Sequence, residues 1–209
     1  MPFVATAALA SLAGYLLGSI SFAVVVSRLM RLPDPRSYGS KNPGATNVLR
    51  TGNRVAAVLT LAGDALKGFV AVVIALVYLP ESAPYVGVAA FLGHLYPVFH
   101  RFQGGKGVAT AAGVLFGFDA WLGLGAIATF AIIVAFFRYV SLASVLASAF
   151  AIFFSWFIKL SGVTTLAVAV MAALLIWRHR ENIRRLAAGT ESKLGQKKAT
   201  PPDPSAASH

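Results

Sequence analysis

Residues 2–27 contain no charged side chain. This run constrains the chain more than any other feature. About 20 consecutive apolar residues cross a bilayer as a helix, because a helix satisfies its own backbone hydrogen bonds where no water is present. Similar runs follow at 55–79, 82–99, 107–118, 120–137, 139–158 and 160–177. Only Asp64 and Lys67 interrupt the second, and His94 lies near the end of the third. No Lys or Arg precedes the first run, so it is read as a retained span and not a cleaved leader. These runs predict an all-α polytopic membrane protein with seven transmembrane helices. Charged residues make up only 12% of the chain, about half the share usual in soluble domains. That excludes a water-facing globular enzyme and a disordered protein. There is no cysteine, so disulfides, thiolate nucleophiles and Cys-based metal sites are excluded.

The cations orient the spans. With the N-terminus outside and the C-terminus cytoplasmic, all of the 18 Lys and Arg but Lys67 and Lys159 fall in inner loops or the C-terminal tail. A nucleic-acid role is therefore not expected, since the net charge of +11 follows topology. The run 107–118 tests this arrangement. Twelve residues reach only about 18 Å as a helix, against roughly 30 Å of hydrocarbon. It is read as a short helix that starts deep in the membrane after a glycine-rich loop, which marks 101–110 as a candidate site. Residues 1–195 are read as one membrane-embedded domain, and 196–209 as a disordered cytoplasmic tail. The pairs Gly14/Gly18 and Gly113/Gly117 are read as close helix contacts.

Polar chemistry gathers in four places. The first inner loop carries Ser40, Asn42, Gly44, Thr46, Asn47 and Arg50. Small donors, free N–H groups and a bidentate cation suit a phosphate; an ordinary polar turn, with Ser40 or Thr46 capping a following helix, reads equally from composition. Asp64 and Lys67 share a helix face, either as a buried ion pair or with Lys67 held for an anionic ligand. His94 precedes Pro97, and Gly104, Gly105 and Gly107 surround Lys106, as in a loop that cradles phosphate at a helix N-terminus. It is not a Walker A motif, because His100 and Gly107 stand where Gly and Ser or Thr are needed. His179 and Asn182, three apart in a basic stretch after the last span, can face one site.

These residues carry a resemblance. Segments 39–47, 64–68, 93–99, 104–110 and 178–183 resemble the bacterial acyl-phosphate:glycerol-3-phosphate acyltransferases, the PlsY family, in order and over about residues 15–195. Lys41 stands where that family usually has glycine. The resemblance implies transfer of a fatty acyl group from acyl phosphate to the 1-hydroxyl of glycerol 3-phosphate, yielding lysophosphatidic acid and inorganic phosphate in phospholipid biosynthesis. It implies Ser40, Arg50, Lys106, His179 and Asn182 as catalytic. Asn42, Gly44, Thr46, Asn47, Lys67, His94, Gly104, Gly105 and Gly107 would bind substrate. No metal or cofactor is expected. Expected partners are membrane lipid and the enzyme that supplies acyl phosphate, at the bacterial cytoplasmic membrane with the site facing inward.

The residues agree with direct attack. Acyl phosphate is a mixed anhydride with a good leaving group. The chain has no G-x-S-x-G elbow and no His with Asp five positions later. The general base stays open among His94, His179 and a substrate phosphate oxygen. The alternatives are a small organic-phosphate transporter, which usually shows repeats around a midplane site, and a lipid phosphotransferase, which needs clustered carboxylates.

Overall fold

The computed structural model describes residues 2–196. Among these every regular element is helical. The helices are α1 (Phe3–Gly18), α2 (Phe22–Leu29), α3 (Ala45–Val48), α4 (Arg54–Tyr78), α5 (Ala83–Leu95), α6 (Val108–Phe118), α7 (Ala120–Phe137), α8 (Val140–Phe157), α9 (Gly162–Arg178) and α10 (Arg180–Ala187). The tail expected over 196–209 lies outside the described residues apart from Gln196.

Four helical stretches are long and apolar enough to cross a membrane: 3–29, α4, α7 and α8. A fifth forms when α9 and α10, bent by 58°, count as one span. The seven expected spans all correspond to helices, but α5 has 13 residues and α6 has 11. At 1.5 Å per residue these reach about 20 and 16 Å, short of the roughly 30 Å core.

The first run is not one straight helix. It breaks at Ser19–Ser21 between α1 and α2. The Ile20 carbonyl freed there accepts from the Lys67 ammonium of α4 at 2.7 Å. Such a break persists inside a membrane only where protein groups satisfy the backbone.

Starts of helices follow local chemistry. Asn53 accepts from the Ala56 amide at 2.9 Å and begins α4. Asp119 does the same for α7 through Leu122, and Ser161 for α9 through Thr164. Neither Ser40 nor Thr46 caps a helix; Gly44 precedes α3 without a side-chain cap.

Hydrocarbon offers no hydrophobic gain for bringing helices together, so close packing of small residues replaces it. Both glycine pairs act this way. Gly14 and Gly18 of α1 lie against Val86 and Ala90 of α5. Gly113 and Gly117 of α6 lie against Ala65 and Val72 of α4. The α4–α6 contact seats the short helix in the bundle, with Val72, Phe91, Leu95, Val114 and Leu122 fully buried around it. The end of α5, the start of α6 and the end of α9 thereby meet at one end of the bundle.

Candidate functional site

The first polar loop is held by its own amide. Asn47 is 2% exposed. Its Oδ1 accepts from the Ser40 N–H at 3.0 Å, and its Nδ2 donates to the carbonyls of Pro35 and Tyr38. Asn47 therefore shapes the loop. Ser40, Thr46 and Arg50 are left exposed on it, and the Arg50 stem packs beside Gly39. Lys41 holds a φ of 55°, the left-handed region in which glycine rests without strain. Asn42 and Gly44 are half-buried neighbours.

The glycine-rich segment lies beside this loop. A Cβ on Gly105 would meet the Pro43 carbonyl oxygen at 2.9 Å, so the two loops touch there. The same Cβ would strike His94 Nε2. The Gly105 amide donates to the His94 carbonyl at 3.2 Å. From the opposite side, Arg178 Nη2 donates to the carbonyls of Gly104 and Gly105 at 3.1 and 3.0 Å. Gly107 then turns into α6 with a φ of 81° and no side-chain cap. Among the described residues, no intramolecular hydrogen bond takes the amides of Gly104, Lys106 or Gly107. Carbonyls are drawn outward by Arg178, while free N–H groups and an uncapped helix start remain for an anion.

Lys106 projects from this segment to Asn182 of α10, whose Oδ1 accepts from its ammonium. Asn182 Nδ2 donates to Glu191 Oε1 at 2.6 Å, which settles the amide orientation, because a carboxylate only accepts. Glu191 also accepts from Ser141 of α8 at 2.8 Å and from Arg185 at 2.7 Å. Burial alone would raise the Glu191 carboxyl, but the hydrogen bonds from Asn182, Arg185 and Ser141 hold it below its usual range. The Lys106 ammonium is pushed down to about 8, mainly by burial; Glu191 opposes this, and Arg185 and Arg178 add to it.

His179 sits at the α9–α10 bend, 3% exposed. Its Nδ1 lies 2.8 Å from the Leu175 carbonyl. A carbonyl only accepts, so Nδ1 carries the proton and Nε2 is left as an acceptor. Burial pushes His179 down to about 4, against the Leu175 hydrogen bond, with Lys106 adding to the fall. The ring is neutral at pH 7.

Lys67 and His94 lie deeper. Lys67 Nζ is 2.9 Å from Asp64 Oδ1, and both side chains are buried. His94 Nδ1 is 3.0 Å from Thr110 Oγ1 and 3.5 Å from the same Asp64 oxygen. The structure thus joins Lys106, His179 and Asn182 at one place, with Gly104, Gly105 and Gly107 around Lys106. It sets the first loop beside them through Pro43, and puts Lys67 and His94 underneath. No hydrogen bond links the Ser40, Thr46 or Arg50 side chains to Lys106 or Asn182 among the described residues.

Comparison with known proteins gives the family. The signature of the glycerol-3-phosphate acyltransferase family matches residues 8–189. The chain belongs to the glycerol-3-phosphate acyltransferase family. Within it, the glycerol-3-phosphate acyltransferase of Cupriavidus taiwanensis is 59% identical over 194 residues, covering 90% of this chain and 96% of the relative. That of Ralstonia pickettii is 58% identical over 203 residues, covering 94% and 98%. Crystal structures of PlsY (YgiH), an integral membrane glycerol 3-phosphate acyltransferase, share 40% identity and cover 91% of this chain and 96% of theirs. Their glycerol 3-phosphate form superposes with a TM-score of 0.87, and their lysophosphatidic acid form with 0.85. This chain is accordingly a multi-pass membrane protein.

Glu191 was absent from the residues that sequence alone picks out in this member of the glycerol-3-phosphate acyltransferase family, and Ser141, within a segment that resembles the family, carried no role. Glu191 lies in the segment after α10, which folds back on the α7–α8 turn: the Leu194 amide donates to the Arg138 carbonyl at 2.7 Å. A lone Glu in a polar stretch carries no local signal of burial. Its role exists only because α8 and α10 meet.

Proposed function

We propose that the protein transfers a fatty acyl group from acyl phosphate to the 1-hydroxyl of glycerol 3-phosphate. The products are lysophosphatidic acid and inorganic phosphate, and the step serves phospholipid biosynthesis. The contact of Lys106 with Asn182 carries this reading: it joins the glycine-rich segment and the α9–α10 bend into a site with cations, free amides and a neutral imidazole. The relatives' shared name, glycerol-3-phosphate acyltransferase, supports the acceptor.

Ser40 and Arg50 of the first loop, Lys106, and the amides of Gly104, Lys106 and Gly107 bind phosphate groups. Asn42, Gly44, Thr46 and Asn47 hold the shape of that loop, and Gly105 lets the segment lie flat on His94. His179 Nε2 accepts from a glycerol hydroxyl, and Asn182 holds Lys106. The 1-hydroxyl oxygen attacks the acyl carbonyl carbon. Lys106 or the loop amides stabilise the oxyanion, a role often worth ~2.7–4 kcal/mol per donor. The new ester C–O bond forms as the bond from acyl carbon to phosphate oxygen breaks, and inorganic phosphate departs. The hydroxyl proton passes to a substrate phosphate oxygen. A phosphate monoester has a second pKa of about 6, so its dianion serves as a base near neutral pH.

The chain lies in the bacterial cytoplasmic membrane with N-terminus outside and this site facing the cytoplasm, where acyl phosphate is delivered by the enzyme that makes it. Whether α5 and α6 each cross, or meet within the bilayer as a pair, α7 to α9 keep the same direction. The cations after α7 and α9 then stay inside in either case, and Arg101 and Lys106 reach the inner face when α5 and α6 cross.

The test is acyl transfer by the detergent-purified protein, offered glycerol 3-phosphate with palmitoyl phosphate and, separately, with palmitoyl-CoA. Product from acyl phosphate alone, lost in Lys106→Ala, is expected. Product from the thioester overturns the donor, and no product from either overturns the activity.

A further inference from the structure

Beneath the Lys106 segment lies a buried polar network that the chemistry above does not use. It runs from the α1–α2 break through α4 and α5 to α6. The Ile20 carbonyl accepts from Lys67, Lys67 pairs with Asp64 at 2.9 Å, and Asp64 lies 3.5 Å from His94 Nδ1. His94 Nδ1 also lies 3.0 Å from Thr110 Oγ1. His94 and Thr110 are 6% and 0% exposed, and Asp64 and Lys67 are 2% and 3%.

We propose that His94 and Thr110, backed by Asp64, are positioning residues that set the depth of Lys106 without touching substrate. The proposal rests on the reading of the glycine-rich segment as the substrate phosphate site. His94 meets this segment twice: its carbonyl accepts from the Gly105 amide, and its Nε2 lies under the Gly105 Cα, where a Cβ would collide. Gly105 immediately precedes Lys106. Thr110 stands in the first turn of α6, three residues beyond Gly107. One imidazole therefore fixes both the floor of the segment and the start of the helix it feeds. Arg178 holds the same segment from the other side through the Gly104 and Gly105 carbonyls.

The ring is engaged along both edges. One nitrogen of His94 faces Thr110 and Asp64, and Gly105 packs against the other, so the ring supports the segment from below. A charge at this depth in an apolar span is retained only with a partner, and Asp64 has the Lys67 ammonium at 2.9 Å. The network ties the bent first span to the loop, so its members act through Gly105 and Thr110.

The test uses full-length protein and compares His94→Ala, His94→Asn, Thr110→Val and Lys106→Ala. Asn places an amide near the position of His Nδ1 and keeps the Thr110 contact, but it cannot act as a base. His94→Ala is expected to lose about 30-fold or more in kcat, with KM for acyl phosphate little changed, and His94→Asn to recover to within about 5-fold of wild type with an unshifted pH profile. Thr110→Val is expected to lose about 10-fold, and His94→Ala with Thr110→Val to be no worse than His94→Ala alone. His94→Asn as inactive as His94→Ala, with a limb of the pH profile gone, would make His94 catalytic and overturn the proposal. Wild-type kcat in His94→Ala overturns it as well. If His94→Ala does not purify as a folded species, the isosteric Thr110→Val decides, and wild-type kcat there overturns the proposal. Full activity in Lys106→Ala instead overturns the underlying reading of the segment.

Discussion

The ammonium of Lys106 rests on the Oδ1 of Asn182, 76 residues further along the chain. This contact closes the site between the loop that enters α6 and the helix that follows α9. A cation and an amide so joined act as a unit, and their substitutions are expected not to add. Lys106→Ala and Asn182→Ala should each reduce kcat/KM by about 100-fold or more, and the double variant by little beyond Lys106→Ala alone. Steady-state kinetics with glycerol 3-phosphate and palmitoyl phosphate measure this; strict additivity would show that the contact is not used.

The pH profile follows from the same lysine. Burial pushes its ammonium down to about 8, so the charged form predominates below that pH and is lost as pH rises through it. If the ammonium binds phosphate, kcat/KM falls above about pH 8, approaching tenfold per pH unit. Lys106→Arg should shift that fall upward, because guanidinium stays charged. His179, pushed down to about 4, stays neutral from pH 5 to 8 and contributes no limb there.

Glu191 holds Asn182 in the one orientation that offers oxygen to Lys106. Glu191→Ala removes acceptors for Asn182, Ser141 and Arg185 together. It should lower kcat and destabilise the protein by about 1–3 kcal/mol, because the buried Asn182 and Ser141 lose their acceptor. Glu191→Gln keeps an oxygen for Asn182 but loses the charge that faces Arg185, so its activity should fall between the two. Activity assays with thermal unfolding in detergent separate these outcomes.

Lys41 occupies left-handed backbone that suits glycine. Such strain costs an L-residue roughly 1–2 kcal/mol, and glycine returns part of that through its greater freedom when unfolded. Lys41→Gly should therefore keep the fold, raise stability by up to about 1 kcal/mol and leave kcat within about 2-fold. A clear loss of stability would mean that the Lys41 side chain is itself anchored.

Much of this arrangement is legible in the sequence. The requirement a bilayer imposes is local: a stretch must be apolar and long enough, and its cations must stay inside. All seven runs fold as helices, although α5 and α6 fall short of the full hydrocarbon thickness, and α6 is as short as its residues imply. The residues of the proposed site, Ser40, Arg50, Lys106, His179 and Asn182, show as motifs because glycines, amides and cations cluster within a few residues. The i,i+3 spacing of Asp64 and Lys67 showed that they share a face, but left open whether Lys67 waits for a ligand.

The tertiary structure decided what spacing cannot. The break at Ile20 needed a donor 47 residues away, and Lys67 supplies it. His94 became a floor for Gly105 only when α5 packed beside α6. Glu191 acquired its three partners only when the last segment folded onto the α7–α8 turn. Composition and periodicity determine which stretches enter a membrane, because lipid acts on each residue where it stands. Which buried polar groups meet depends on how helices pack across long sequence separations, and only the assembled bundle holds that information.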